Sequence, residues 1–179
     1  MPFSLRSLGN AVRSGLRLLG AAGSASSGAP ARSRSDASGP AASAGTGRYP
    51  GDFRGRSTVS YAPKPDGDPD PGEVVWAWVP YQEDHSRGKD RPVLLVGRSG
   101  PYLLGLMLTS RDRVPAASAS ADYVDLGVGG WDRQARPSEA RLDRILQIMP
   151  ADIRREGAVL DRKRFEAVAA GLRSRHGWT

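Results

Sequence analysis

The stretch RPVLLVGRSGPYLLGLMLTS, residues 91–110, determines the fold that the sequence predicts. It contains two apolar runs separated by the short turn Arg98–Gly100. Both runs are apolar on consecutive residues, which is typical of strands that are covered on both faces. Pro92 stands at the start of the first run, where a strand tolerates a residue without an amide hydrogen. We therefore predict two buried strands joined by a tight turn.

Further strands and one helix are predicted on either side of this pair. Residues 73–81, EVVWAWVPY, alternate β-branched and aromatic side chains between two faces and are typical of a strand. In residues 161–177 a helical stripe of apolar residues follows Asp161, a suitable N-cap, and precedes Gly177, a suitable C-terminal glycine. The complete set of predicted elements is strands at 73–81, 91–98, 100–110, 121–127 and 138–148, one or two helical turns at 151–157, and the helix at 161–177. The fold class is mainly β or α+β, with about five short strands in a strongly bent sheet or small barrel and a C-terminal helix.

Residues 1–71 differ in composition from residues 72–179. The first part is dominated by Gly, Ala, Ser, Pro and Arg, and residues 21–47 lack the apolar side chains needed to offset their ordering entropy. We interpret residues 1–71 as a basic, mostly disordered extension and residues 72–179 as the folded domain. Residues 3–20 repeat leucine and valine at helical spacing beside arginines, so they form either a disordered arm or an amphipathic helix that docks on a membrane surface, an RNA or a partner.

Charge and composition narrow the classes of partner. The formal net charge is +7 and the isoelectric point is about 10.3, a balance that favours nucleic acid, acidic protein or an anionic membrane surface. The absence of cysteine excludes disulfides and thiolate metal sites and is consistent with a reducing cytoplasm. No run approaches the roughly 18 apolar residues of a membrane span. With only His85 and His176 as imidazoles, no metal-ligand spacing is recognisable, and we expect no metal or other cofactor.

The candidate site residues lie on strands or beside their ends. Arg141 and Asp143 are two positions apart on one strand, so they share a face, and the guanidinium favours the charged carboxylate as a proton acceptor. The alternative is an exposed ion pair of little consequence. Arg91 begins one strand and Thr109 ends the next, with Ser110 beside it, positions from which a scaffold presents groups to a ligand or simply ends a strand.

Two more side chains have both a functional and a structural interpretation. His85, in a polar loop, is either a general acid or base, a side chain that stacks on a nucleobase, or a solvated histidine. Trp131 follows Gly129 and Gly130 and either stacks on nucleobases or covers the core.

Taken together, these residues resemble the PemK/MazF family of toxin endoribonucleases from bacterial toxin-antitoxin systems. Four blocks carry the resemblance in the order of the family: GEVVWAWVP, HSRGKDRPVLLV, LGLMLTS and SEARLDRILQI, within residues 72–178. The resemblance implies an SH3-like barrel of the PemK and CcdB type that is usually a homodimer. It also implies cleavage of single-stranded RNA without metal, by attack of a ribose 2′-hydroxyl that leaves a cyclic phosphate and a 5′-hydroxyl.

The resemblance also implies roles for individual residues. Arg91, Thr109, Arg141, Asp143 and His85 match family positions and are the expected catalytic set. We expect Asp143 to be the general base, the two arginines to stabilise the phosphorane, and His85 to protonate the leaving 5′-oxygen, because a guanidinium is a poor proton donor at pH 7. The expected RNA-binding residues are Ser110, Arg87, Lys89 and Trp131.

Two functions from different classes remain open. The first is a cytoplasmic, sequence-selective endoribonuclease restrained by an acidic antitoxin protein. The second is a non-catalytic RNA- or protein-binding regulator on the same barrel, which also serves gyrase-poisoning toxins, with weak membrane contact through the N-terminal arm. The family loop often has Glu-Gln where this chain has Ser86 and Arg87, and the basic extension is not a family feature.

Overall fold

A computed structural model describes residues 49–64, 66–110 and 122–179. All of these residues belong to one compact unit. The elements are β1 (Glu73–Pro80), β2 (Gly88–Ser99), β3 (Tyr102–Ser110), β4 (Tyr123–Gly127), β5 (Ser138–Ile148), a 3-10 turn at Pro150–Asp152, β6 (Ile153–Val159) and α1 (Arg162–His176). The mainly β fold with a C-terminal helix is confirmed.

The strands form one antiparallel sheet in the order β4-β5-β3-β2-β1-β6. The predicted pair β2 and β3 lies at its centre, which explains why both strands are apolar on consecutive residues. The helix begins at Asp161, whose side chain accepts a hydrogen bond from the Arg164 amide, and ends at Gly177 with φ 62°. Both predicted helix ends are confirmed.

Two apolar clusters cover the sheet. The helix-side cluster consists of one set of strand residues, Trp131 and the apolar stripe of α1; its strand members are Val74, Leu94, Val96, Leu104, Leu106, Leu108, Leu126, Ala140, Leu142 and Ile145. The second, cleft-side cluster is formed by Val75, Ala77, Val79, Val93, Leu95, Leu103, Leu146 and Ile148. Adjacent residues of β1 and β2 alternate between the two clusters, as the two-residue period of a strand requires.

The prediction of helical turns at 151–157 is wrong. Only Pro150–Asp152 form a 3-10 turn, and Ile153–Val159 form β6 along the edge of β1. The pairing shifts register twice, between Val74 and Val75 and between Trp76 and Ala77. Pairing with the open edge of β1 outweighs the weak local helix signal of this polar segment.

The N-terminal segment, which we define as residues 49–64, is folded onto the sheet and is not part of a disordered extension. Phe53, Val59 and Tyr61 pack against the helix-side cluster, whereas Tyr49 packs against the cleft-side cluster. The Phe53 amide donates to the Ile145 carbonyl at 2.8 Å, and the Tyr61 hydroxyl donates to the Leu160 carbonyl at 2.8 Å. The folded part therefore begins before the predicted boundary at Gly72. The predicted helix at 3–20 lies outside the described residues.

Strand β5 is irregular at the point where it carries the Arg141 and Asp143 side chains. Leu106 lies opposite Ile145 and Leu108 opposite Ala140, so a two-residue step on β3 spans a five-residue step on β5. Such an insertion bends a strand and redirects its side chains. Beyond Arg141, the edge of β5 that β4 leaves open is covered by the N-terminal segment. The Phe53 amide donates to the Ile145 carbonyl, and the Gln147 side chain donates to the Gly51 carbonyl at 3.0 Å.

Candidate functional site

One cleft at an end of the sheet brings together two of the predicted residues, Arg91 and Arg141. Its volume is about 160 Å³, and its lining consists of Val79, Pro80, Tyr81, Gln82, Glu83, Arg91, Met107, Arg141 and Arg144. Val79 and Met107 belong to or pack against the cleft-side cluster, so the cleft and α1 lie against different clusters. Three arginines and one acidic residue line this cleft, which therefore suits an anionic ligand.

Arg91 enters the cleft from the central strand β2. It pairs in register with Ala77 of β1, and its side chain is partly buried. It makes no ion pair with any described residue in 49–64, 66–110 and 122–179. Arg91 thus contributes a full positive charge to the cleft.

Arg141 and Asp143 form a bidentate ion pair. The Arg141 Nε lies 2.5 Å from Asp143 Oδ1, and the Arg141 Nη2 lies 2.6 Å from Oδ2. The two side chains are 25% and 23% exposed, which makes the pair better shielded than an ordinary surface pair. Arg141 also reaches Gln82 Oε1 at 3.5 Å across the cleft.

The pair shifts the pKa of both partners. Partial burial acts to raise the pKa of Asp143, but the hydrogen bonds and positive charge of Arg141 outweigh it, and the pKa lies below its usual value. The hydrogen bonds from Arg141 to Asp143 raise the pKa of Arg141, against the effect of burial. Asp143 is therefore ionised at neutral pH, and each of its oxygens already accepts one hydrogen bond.

Arg144 is the third arginine of the cleft, and the sequence does not predict it as a site residue. Its side chain is 5% exposed, and its Nε lies 2.9 Å from Asp52 Oδ2 and 3.0 Å from Oδ1. Its Nη1 donates to the Pro80 carbonyl at 2.8 Å. Arg144 stands on β5 beside other polar residues and gives no sequence signal of this burial, and Asp52 lies 92 positions away.

Thr109 and Ser110 end β3 and do not line the cleft. Thr109 lies two residues beyond Met107, which faces Val93, and Arg91 lies two residues before Val93. Thr109 and Arg91 are therefore at the same end of neighbouring strands. Ser110 is half-buried and pairs with Ser138 of β5.

The three predicted residues before Arg91 do not line the cleft, and one of them, Arg87, contacts a residue that does. His85 is exposed, and its ring packs edge-to-face on Tyr49 with centroids 5.0 Å apart. The Arg87 guanidinium lies 5.8 Å from the centre of the Tyr81 ring, and Tyr81 lines the cleft. Lys89 is exposed on β2, two residues before Arg91. The strand predicted at 91–98 starts too late, since β2 already begins at Gly88.

Trp131 is not an RNA-stacking residue, and this expectation is wrong. The residue is 3% exposed and lies in the helix-side cluster. Its indole nitrogen donates to Ser138 Oγ at 3.2 Å, and its carbonyl accepts from the indole of Trp76 at 3.1 Å. Of its two interpretations, the structural one holds, because no face of the ring is open to a nucleobase.

The described part of the chain shows neither a metal-ligand group nor a helix that could span a membrane. The described residues contain no group of three or more His, Asp or Glu side chains that are arranged to hold a metal ion. No described helix has the length and apolarity required to cross a membrane.

Comparison with known proteins identifies the family. Residues 70–175 match the family model described as PemK-like, MazF-like toxin of type II toxin-antitoxin systems. Since this match covers more than half of the chain, the chain belongs to that family. No curated protein matches it.

Several solved structures are similar in fold. The Mycobacterium tuberculosis toxin MazF-mt6 is 19% identical, with 60% of this chain and 98% of that chain covered and a TM-score of 0.45. The Deinococcus radiodurans MazF is 20% identical, with 63% and 99% covered and a TM-score of 0.48. A MazE-MazF complex from the same organism is 18% identical, with 64% and 100% covered and a TM-score of 0.45.

Proposed function

We propose that this chain is a metal-independent endoribonuclease that cleaves single-stranded RNA, acting as the toxin of a type II toxin-antitoxin pair. The supporting observation is that Arg91, Arg141 and Arg144 line one cleft, with an ionised carboxylate, Asp143, bound to Arg141. Phosphodiester cleavage requires positive donors around the phosphate and a proton acceptor near the attacking hydroxyl. Family membership and the net charge of +7 agree with an RNA substrate.

In the proposed reaction the ribose 2′-oxygen attacks the adjacent phosphorus. Asp143 takes the 2′-hydroxyl proton through a lone pair that Arg141 does not occupy, and the bond from phosphorus to the 5′-oxygen breaks. The products are a 2′,3′-cyclic phosphate and a 5′-hydroxyl, whose proton comes from His85 or from water that His85 positions. Arg91 and Arg141 stabilise the additional negative charge of the phosphorane.

The remaining predicted residues are assigned to RNA binding. Arg87 contacts a residue of the cleft and Lys89 lies two residues before Arg91, and both suit the phosphate backbone, where sequence-independent contacts supply much of the affinity. Thr109 and Ser110 lie at the end of β3, close to the end of β2 that carries Arg91, and suit hydrogen bonds to a phosphate or base. We further propose an acidic antitoxin partner and a homodimer, since the family implies both. We propose a cytoplasmic site of action because the substrate class that the family implies is mRNA.

One observation favours the second candidate function, a non-catalytic RNA-binding regulator. Arg141 donates to both oxygens of Asp143, and the lowered pKa makes Asp143 a weak base. A site built only to bind a phosphate would have the same ion pair. The two functions therefore predict the same binding and differ in whether the RNA backbone is broken.

The test is incubation of the full chain with long single-stranded RNA in EDTA, followed by analysis of the new ends. Wild type, Arg91→Gln and Asp143→Asn are compared with Arg173→Gln, a matched loss of one positive charge on exposed α1. Discrete cuts with 5′-hydroxyl ends, lost in the first two variants and retained in the third, support catalysis. Binding without cuts by folded wild type supports the regulator, and neither binding nor cuts contradicts both candidates.

A further inference from the structure

The Arg144 side chain has one donor group for which no described residue supplies an acceptor. Its Nε and Nη1 bond Asp52 and the Pro80 carbonyl, whereas its Nη2 is buried and has no hydrogen-bond partner among the described residues. Buried donors without a partner are rare in folded proteins because leaving one unsatisfied is costly. Arg144 lines the cleft together with Arg91 and Arg141, so a ligand in the cleft would lie beside this guanidinium.

The orientation of the guanidinium is fixed by its other contacts. A guanidinium is planar, so two bonds from Nε and Nη1 also define the direction in which Nη2 points. Asp52 is itself held by the Tyr49 hydroxyl, which donates to Asp52 Oδ1 at 2.6 Å. Burial and the contact with Asp52 raise the pKa of Tyr49, so the phenol keeps its proton and remains the donor.

The backbone on both sides of Asp52 is attached to β5. Gly51 accepts from the Gln147 side chain at 3.0 Å, and the Phe53 amide donates to the Ile145 carbonyl at 2.8 Å. The N-terminal segment therefore holds the carboxylate in place against Arg144. The segment thus supports Arg144, although none of residues 49–64 lines the cleft itself.

The charges in the cleft give the arginines different tasks. Arg141 is paired with Asp143 and Arg144 with Asp52, whereas Arg91 makes no ion pair with a described residue. The lining also contains Glu83, so three arginines face three carboxylates, and the cation left for a phosphodiester group is Arg91, which no described carboxylate pairs. Arg91 supplies the unpaired charge, and Arg144 supplies a directed hydrogen bond.

We propose that Arg144 binds a non-bridging oxygen of an RNA phosphodiester through Nη2, and that Asp52 is the positioning residue for this contact. The inference deepens the proposed function and rests on it, since it names a phosphate-binding residue in the same cleft. It assigns a role to the N-terminal segment, which precedes the family match at residues 70–175.

The test measures coupling between Arg144 and a single phosphate. The full chain is titrated, at fixed salt and by fluorescence anisotropy, with a single-stranded 2′-O-methyl oligonucleotide, which has the phosphodiester backbone but no free 2′-hydroxyl. A second series carries one neutral methylphosphonate at each position in turn. Arg144→Lys keeps the positive charge but loses the planar guanidinium, and Asp52→Asn weakens the orientation of Arg144. Arg173→Lys, the same replacement on exposed α1, is the matched control. Urea unfolding confirms that each variant is folded.

We expect Arg144→Lys to weaken binding about tenfold, as expected for a charge-assisted hydrogen bond. At one position the methylphosphonate should weaken the affinity of wild type by a similar factor. The affinity of Arg144→Lys should be nearly the same with and without this methylphosphonate, and the effect on Asp52→Asn should lie between the two. A role confined to folding would give additive losses at every position. Additive losses with tight wild-type binding overturn this inference and leave the proposed function intact, whereas absence of wild-type binding overturns both. Asp52→Asn, which retains the side-chain shape, decides the outcome if Arg144→Lys does not fold.

Discussion

Replacing Phe53 by alanine is expected to destabilise the domain by about 2 kcal/mol. The Phe53 ring is partly buried against the helix-side cluster and packs edge-to-face on Trp178, with ring centroids 5.9 Å apart. Removal of a fully buried phenylalanine side chain costs about 3–5 kcal/mol. Because this ring keeps some exposure, roughly half of that cost is expected.

The assay is urea unfolding of the full chain, followed by tryptophan fluorescence. With a slope of about 1.5–2 kcal/mol per M urea for a domain of this size, the midpoint should fall by about 1 M without a change in slope. Arg54→Ala is the control, because Arg54 is the exposed neighbour of Phe53 and should change the stability by less than about 0.5 kcal/mol. If both variants unfold at the wild-type midpoint, the N-terminal segment contributes no packing energy and the reasoning is refuted.

Three further predictions concern the site and its support. Because the folded pKa of Asp143 is below its unfolded value of about 3.9, the stabilisation from its pair with Arg141 is fully present above about pH 4 and is lost as the pH falls through the folded pKa. Asp143→Asn should therefore cost at most about 1 kcal/mol at pH 7 and less at pH 3 in urea unfolding; an equal cost at both pH values would contradict this. Gly97→Ala should destabilise by about 1–3 kcal/mol in the same assay, because its new Cβ would lie 2.8 Å from the Thr58 carbonyl oxygen, and a neutral result would show that the segment moves away freely. Arg91→Gln should reduce the slope of log affinity for single-stranded RNA against log salt by about 0.7, and an unchanged slope would place Arg91 away from the phosphates.

The central strands and the helix could be predicted because their signals are local. Residues 93–96 and 103–108 are apolar on successive positions, and the helix has its cap, its stripe and its terminal glycine within one short window. The same applies to Arg141 and Asp143, whose two-residue spacing predicted a shared face that the ion pair confirms. These features depend on neighbours in the sequence.

The missed features depend on partners that are distant in the sequence. Strand β6 exists because β1 has a second edge to pair with, and its own residues have no alternation to indicate this. The average composition of residues 1–71 predicts disorder and hides widely spaced aromatic residues such as Phe53 and Tyr61 that reach the core. Arg144 and Asp52 are 92 positions apart, and neither is distinctive alone.

That separation also has a consequence for the order in which the molecule is made. Synthesis proceeds from the N-terminus, so Asp52 exists long before the strand that carries Arg144, and the two can meet only after 92 further positions have been added. Nascent chains that end before residue 141 have neither the Arg144 donor nor the Arg141–Asp143 pair. The cleft is therefore completed late in translation, because a growing chain on the ribosome lacks Arg141, Asp143 and Arg144 until β5 has emerged and docked.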